Sequence, residues 1–144
     1  MKPENELTME FMSRSCNEAF ARAAVGAFIA PLDPDLEELS DIKTAVSEAV
    51  TNCIVHAYPE KSGEITLCCR VYPDRTVELR VEDQGVGIPD ITAAREPMFT
   101  TGGQDRSGMG FTIMEKFMSS LQVESQPGKG TAVTMTRRLQ ERKP

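Results

Sequence analysis

Tryptophan is missing from this 144-residue chain, and histidine occurs once, at His56. With a single histidine and no C-x-x-C spacing among Cys16, Cys53, Cys68 and Cys69, a zinc site has too few ligands. The four thiols are expected to be buried and reduced, as in a cytosolic protein. Long apolar runs are also lacking. The most apolar stretch, residues 23–32, falls far short of the ~18–20 residues that cross a bilayer. The first residues carry no basic-then-apolar signal pattern, so a cytoplasmic, soluble protein is the expectation. Basic residues are in deficit: 16 Lys and Arg against 22 Asp and Glu leave a net charge of −6, the wrong sign for gripping a nucleic-acid backbone. Neither G-x-x-x-x-G-K-[ST] nor G-x-G-x-x-G after a strand occurs, which argues against P-loop and Rossmann architectures. What is present is an ordinary globular balance, 40% hydrophobic and 26% charged, at a length that suits one domain over residues 1–144.

Hydrophobic periodicity predicts the elements. Leu7, Met9 and Phe11 alternate with polar neighbours, a short first strand. Ser15 reads as the N-cap of a helix through Ile29 that buries its Ala and Phe positions. Pro31 ends that helix, and Asp33-Pro34 opens the next as cap and first residue. Along the second helix Leu39, Ile42, Val46, Ala49, Val50, Cys53 and Ile54 share the core face, with Asp41, Ala45, Glu48 and Asn52 opposite. Residues 64–71 and 76–81 predict a hairpin around Pro73-Asp74. Over residues 83–110 the pattern gives way to Gly, Pro, Thr and charge, a long loop of the kind that is functional or mobile. A helix over 109–120, a strand over 121–125, the Pro127-Gly128-Lys129-Gly130 turn and a strand over 131–138 complete the chain. This order predicts an α/β (α+β) two-layer sandwich with helices on one face of a mixed β-sheet.

Three polar motifs sit on that framework. Glu48 and Asn52 lie one helical turn apart and point the same way. A carboxylate there can accept a proton and an amide oxygen can bind a hard cation such as Mg2+, although the pair also suits a plain solvated face. Asp83-Gln84-Gly85-Val86-Gly87 follows a strand. Its carboxylate can accept a hydrogen bond from an amine such as that of adenine, and its glycines let a ligand approach, unless the segment is an ordinary Asp/Gly turn. Ser107-Gly108-Met109-Gly110 opens a helix, where first-turn N–H groups and the positive end of the dipole favour phosphate.

Taken in order, Glu48-x-x-x-Asn52, Asp83-x-Gly85-x-Gly87, Gly108-x-Gly110 and Gly128-Lys129-Gly130-Thr131 resemble the Bergerat-fold (GHKL) ATPase/kinase family over nearly the entire chain. Segments 17–22, 47–52, 83–90, 97–101 and 106–115 are similar to the anti-sigma factors of sporulation, serine-protein kinases within that family. The resemblance implies ATP or ADP with Mg2+ as cofactors. It implies that Asp83 reads the adenine amino group with support from Thr131, that Gly85 and Gly87 admit base and sugar, and that Asn52 holds Mg2+. Ser107, Gly108, Met109, Gly110 and Phe111 would line the phosphates. A flexible ATP lid at about 91–107 would bring Thr100, Thr101 and Arg106 onto them. Glu48 would be the general base toward a substrate serine, and Arg106 would stabilise charge on the transferred phosphoryl group. His56 either packs beside the nucleotide or serves as a structural histidine.

By the same resemblance the partners are a sigma factor of the sigma F type, an anti-anti-sigma factor as phosphorylation substrate, and a second copy of the chain in a homodimer. Neither nucleic acid nor membrane is a direct partner. Arg22 is either a solvated helix arginine or a contact for those proteins. The general-stress anti-sigma kinases share the nucleotide motifs, and a histidine-kinase-type catalytic or ATPase domain is the other alternative. The lone His56 lies within the nucleotide motif region, which speaks against a complete histidine kinase.

Overall fold

The structure, a computed structural model, describes residues 1–58, 61–88 and 110–141. β1 (Asn5–Met12) leads into α1 (Cys16–Ile29), a 3-10 turn (Ala30–Leu32), α2 (Leu36–Asn52) and a π-helical turn (Cys53–Ala57). β2 (Glu64–Val71) and β3 (Thr76–Asp83) form the expected hairpin. Then come α3 (Gly110–Phe117), β4 (Ser120–Gln126) and β5 (Gly130–Arg138). No helix among the described residues is long and apolar enough to cross a membrane.

The sheet order is β1-β2-β3-β5-β4. Every neighbouring pair is antiparallel, which corrects the mixed sheet expected from the sequence. β4 does run parallel to β3, but β5 returns through a tight turn and inserts between them. The parallel contact is never made.

Alternation along the strands decides which face is core. Ile65, Leu67, Cys69 and Val71 on β2, and Val77, Leu79 and Val81 on β3, are buried, with polar residues between them. α1 packs on α2 and α2 on α3. Val25, Ile29, Ile42, Val46, Val50 and Met114 from these helices join the strand residues in one core. The other sheet face carries charge, with Arg70 reaching Glu6 at 3.2 Å and Glu78 at 3.3 Å. Such exposed pairs contribute roughly 0–1 kcal/mol each, so the helix-covered face holds the fold together.

Local chemistry moves several expected features. Asp33 takes a left-handed backbone, φ 52°, to end the 3-10 turn, and so cannot cap α2. Asp35 does so instead. Its carboxylate accepts the Glu38 N–H at 2.7 Å, while the Glu38 carboxylate accepts the Asp35 N–H at 3.0 Å. An N-cap of this kind contributes about 1 kcal/mol. The second Glu38 oxygen accepts the Gln140 N–H at 2.7 Å and ties the end of the chain to α2. Ser15 makes no side-chain cap bond, because its own backbone is already helical. β3 runs two residues beyond the predicted 76–81, as far as Asp83.

Burial brings further corrections. Ala45, expected on the polar side of the second helix, is fully buried. The side bearing Asp41, Ala45, Glu48 and Asn52 is covered by α3, and Arg137 of β5 pairs with Asp41 while donating to the Phe117 carbonyl at 2.8 Å. Phe20 is exposed rather than buried and meets Phe11 edge-on. Only Cys53 and Cys69 are buried; Cys16 is exposed and Cys68 half-buried, because Cys68 and Cys69 point to opposite faces of β2. All four thiols are free, as expected.

Candidate functional site

The fold brings Glu48 and Asn52 to the start of α3. A Cβ placed on Gly110 would lie 3.1 Å from Asn52 Oδ1 and 3.3 Å from Glu48 Oε2. The missing side chain therefore leaves a cradle between a carboxylate, an amide and the backbone of α3. Phe111 and Met114, both buried, fix this part of α3 in the core. Gly110, one of the residues expected to line the phosphates, borders the cradle.

Asp83 ends β3 on its buried side, because it continues the alternation of Val77, Leu79 and Val81. The residue is only 5% exposed. Its Oδ1 accepts the Gly85 N–H at 2.9 Å. The Cys53 thiol and the Thr131 N–H near the same carboxylate also favour its charged form. Burial nonetheless outweighs these donors and raises the Asp83 pKa above its ordinary value of 3.8. Burial, and then the neighbouring Asp83 charge, push the Cys53 thiol well above its own usual value, so it stays a donor. Asp83 keeps acceptor capacity beyond these bonds, as a ligand amine requires.

Glycine is needed on both sides of this carboxylate's loop. At Gly85 a Cβ would fall 2.1 Å from the Ala57 carbonyl oxygen. At Gly87 the backbone is left-handed, φ +77°, and a Cβ would fall 2.2 Å from the Gln126 carbonyl oxygen. Thr131 lies opposite Asp83 in the β3–β5 register. The Ser125 hydroxyl donates to the Gly130 carbonyl at 2.9 Å, so the 2.8 Å contact between the two hydroxyls is a donation from Thr131. Ser125 also accepts the Ile88 N–H at 2.7 Å.

The expected residues thus fall into two adjoining groups, joined by the end of α2. Glu48, Asn52, Gly110 and Phe111 form one; Asp83, Gly85, Gly87 and Thr131 form the other. His56 sits half-buried in the π-helical turn between them. Arg22 stands apart on α1, partly exposed and paired with Glu18 at 3.4 Å. Thr100, Thr101, Arg106, Ser107, Gly108, Met109 and the 91–107 segment lie outside the described residues. The sequence reading missed Cys53 as a neighbour of Asp83, and it gave Tyr58 and Ser125 no part in the site. The available signal was a thiol, a phenol and a hydroxyl placed one to six residues from recognised motif positions. An open groove of about 410 Å³ lined by Glu37, Asp41, Lys116 and Arg137 is a different place. Asp41 lies about 16 Å along the helix axis from Asn52 at 1.5 Å per residue.

Among the described residues no three His, Cys, Asp or Glu side chains cluster to hold a metal. The Asn52 amide beside the Gly110 cradle instead suits a cation that arrives with its own oxygen ligands, as Mg2+ does with phosphates and water.

The fold thus brings together a buried carboxylate at a strand end, glycines at its loop, and an acid–amide pair facing α3. A sequence profile of the histidine kinase-like ATPase domain matches residues 14–137. The chain is 53% identical over 138 residues to an anti-sigma F factor from Caldanaerobacter subterraneus subsp. tengcongensis, covering 95% of this chain and 96% of that one. It is 50% identical over 142 residues to an anti-sigma F factor from Bacillus licheniformis, covering 97% of each. The solved RsbU and RsbW domains of a Mycobacterium tuberculosis protein match 95% of this chain and 33% of theirs, with a TM-score of 0.69 and 22% identity; they share the fold. The chain belongs to the histidine kinase-like ATPase family, among its anti-sigma F factor members. Adenine-nucleotide binding and a kinase-like ATPase domain come with that family.

Proposed function

We propose that the protein is an anti-sigma factor with serine-protein kinase activity. In the ATP state it binds a sporulation sigma factor of the sigma F type, and it phosphorylates a serine of an anti-anti-sigma antagonist. The carrying observation is the juxtaposition of Glu48 and Asn52 with the start of α3 at Gly110, beside a buried Asp83. The names of the relatives point to the sigma factor as the regulated partner.

In this reading Asp83 accepts a hydrogen bond from the adenine amino group, and Thr131, opposite it in the β3–β5 register, supports it. Gly85 and Gly87 keep the loop close-packed behind the base, and His56 flanks the site. Asn52 holds Mg2+, whose charge offsets that of the phosphates, and ATP supplies the phosphoryl group. Glu48 takes the proton of the attacking serine hydroxyl. That assignment asks for a base worth typically 10²–10⁴-fold in rate. Residues 91–107 act as the lid, in which Thr100, Thr101 and Arg106 meet the phosphates, while Ser107, Gly108, Met109, Gly110 and Phe111 contribute N–H groups. Arg106 steadies charge on the phosphoryl group in transit. The chain works as one domain over residues 1–144, as a cytoplasmic homodimer, with Arg22 on the surface that meets the sigma factor and the antagonist.

Transfer of label from [γ-32P]ATP to a purified anti-anti-sigma protein tests the reading. An acid-stable phosphoprotein, formed only with Mg2+, is the expected result. No transfer, or an acid-labile product of the kind phosphohistidine gives, would reject the serine-kinase assignment.

A further inference from the structure

We propose that Tyr58 is a positioning residue of the nucleotide site, its hydroxyl holding the turn at residues 84–87 so that Asp83 presents its carboxylate at a fixed place. The inference rests on Asp83 being the adenine acceptor. Tyr58 Oη accepts the Gln84 N–H at 2.7 Å and donates to the Glu64 carbonyl at 2.8 Å. One atom therefore bridges the first residue of β2 and the residue that follows Asp83. A phenol can serve both roles at once, and a phenyl ring can serve neither. A phenol of ordinary pKa 10.0 already holds its donor proton at neutral pH, and burial raises that of Tyr58 further. The ring is confined by Gly63, where a Cβ would lie 2.2 Å from Tyr58 Cε1.

A second hold acts two residues further on. The Val86 N–H donates to the Ala57 carbonyl at 2.9 Å, at the end of the π-helical turn. The Val86 carbonyl accepts the Gly128 N–H at 2.7 Å from the turn before β5. Between these holds lies Gly85, whose N–H binds Asp83 Oδ1 directly. The Gly85 amide can keep its aim on the carboxylate only while residues 84 and 86 stay fixed. π-Turns recur at functional sites, and here one aims a carbonyl and a phenol at the same loop.

The test is calorimetric titration of the full chain with ADP and with GDP, for the parent, Tyr58→Phe and Asp83→Asn, beside ATP-dependent kinetics and melting without nucleotide. Loss of one net hydrogen bond corresponds to roughly 3- to 10-fold in affinity. Tyr58→Phe is expected to weaken ADP by that factor, to narrow the preference for ADP over GDP equally, and to raise KM for ATP with kcat unchanged. Should Tyr58→Phe fail to fold, Gly63→Ala displaces the ring with the hydroxyl retained, and must narrow the preference in the same way. Unchanged ADP affinity in Tyr58→Phe, alongside a weakened Asp83→Asn, overturns the positioning role and spares the Asp83 reading. Equal weakening of ADP and GDP also overturns it, since a merely structural tyrosine would act so. If Asp83→Asn itself binds ADP like the parent, the adenine-acceptor reading fails and takes the proposal with it.

Discussion

Gly85→Ala isolates close backbone approach from backbone conformation. The new Cβ would sit 2.1 Å from the Ala57 carbonyl oxygen and 2.6 Å from its carbon, where ordinary contact begins at 3.4 Å. The atoms met are the Ala57 carbonyl and its Cβ, none of which can turn away by a side-chain rotation. Relief requires the loop to move off the π-helical turn by about 1.3 Å, the difference between 3.4 and 2.1 Å. That movement breaks the 2.9 Å bond from the Val86 N–H to Ala57 and shifts the Gly85 N–H from Asp83. A lost hydrogen bond costs about 1 kcal/mol and overpacking about 1–3 kcal/mol, so a total of about 2–4 kcal/mol is expected. With a urea m-value of about 2 kcal/mol/M, the unfolding midpoint should fall by about 1–2 M. ADP affinity should fall with it. Gly128→Ala is the matched control: its φ is +78°, but a Cβ there meets nothing within 4 Å. It should cost about 1–2 kcal/mol from conformation alone. A Gly85→Ala protein with the parental midpoint and ADP affinity, or one more stable than Gly128→Ala, would refute the reasoning.

Glu48→Gln keeps shape and removes basicity, so label transfer should fall by about 10²–10⁴-fold while titration shows ADP binding retained; parental transfer removes Glu48 from the chemistry. Asp83 has its folded-state pKa raised above 3.8 by burial, so the folded protein takes up this proton before the unfolded chain does. Its contribution to stability therefore grows as pH falls from the raised value toward 3.8, and ionisation above that window costs stability. ADP affinity moves the other way, falling with acid as the acceptor is protonated; titrations across the window should show this in the parent and not in Asp83→Asn. Arg22→Glu replaces the partly exposed 3.4 Å pair with Glu18 by two like charges one turn apart, a change of about 1 kcal/mol or less, so urea midpoint and ADP binding should nearly hold. Pull-downs in ATP and in ADP should show lost affinity for the sigma factor or the antagonist, and retention of both places the interface elsewhere.

The sequence by itself determined what depends on local spacing. The strand pattern gave β2 its bounds at 64–71, because a strand sends successive side chains to opposite faces whatever surrounds it. The 3.6-residue period assigned Ile42, Val46, Ala49 and Val50 to the core. The four-residue spacing of Glu48 and Asn52, and the glycines after Asp83, were equally visible, since their geometry is carried within one turn. Tertiary structure alone decided the rest. Ala45 is buried only because α3 covers that side of α2, and Asp35 displaces Asp33 as the cap only because the chain turns left-handed at Asp33. β5 comes to lie between β3 and β4, which makes the sheet antiparallel and sets Thr131 opposite Asp83. Tyr58 finds Gln84 across 26 positions and Glu38 finds Gln140 across 102. A phenol or a carboxylate carries no mark of its partner in its own neighbourhood: periodicity is fixed by the bond angles of one segment, but a hydrogen-bond partner is fixed by where the other segments are packed.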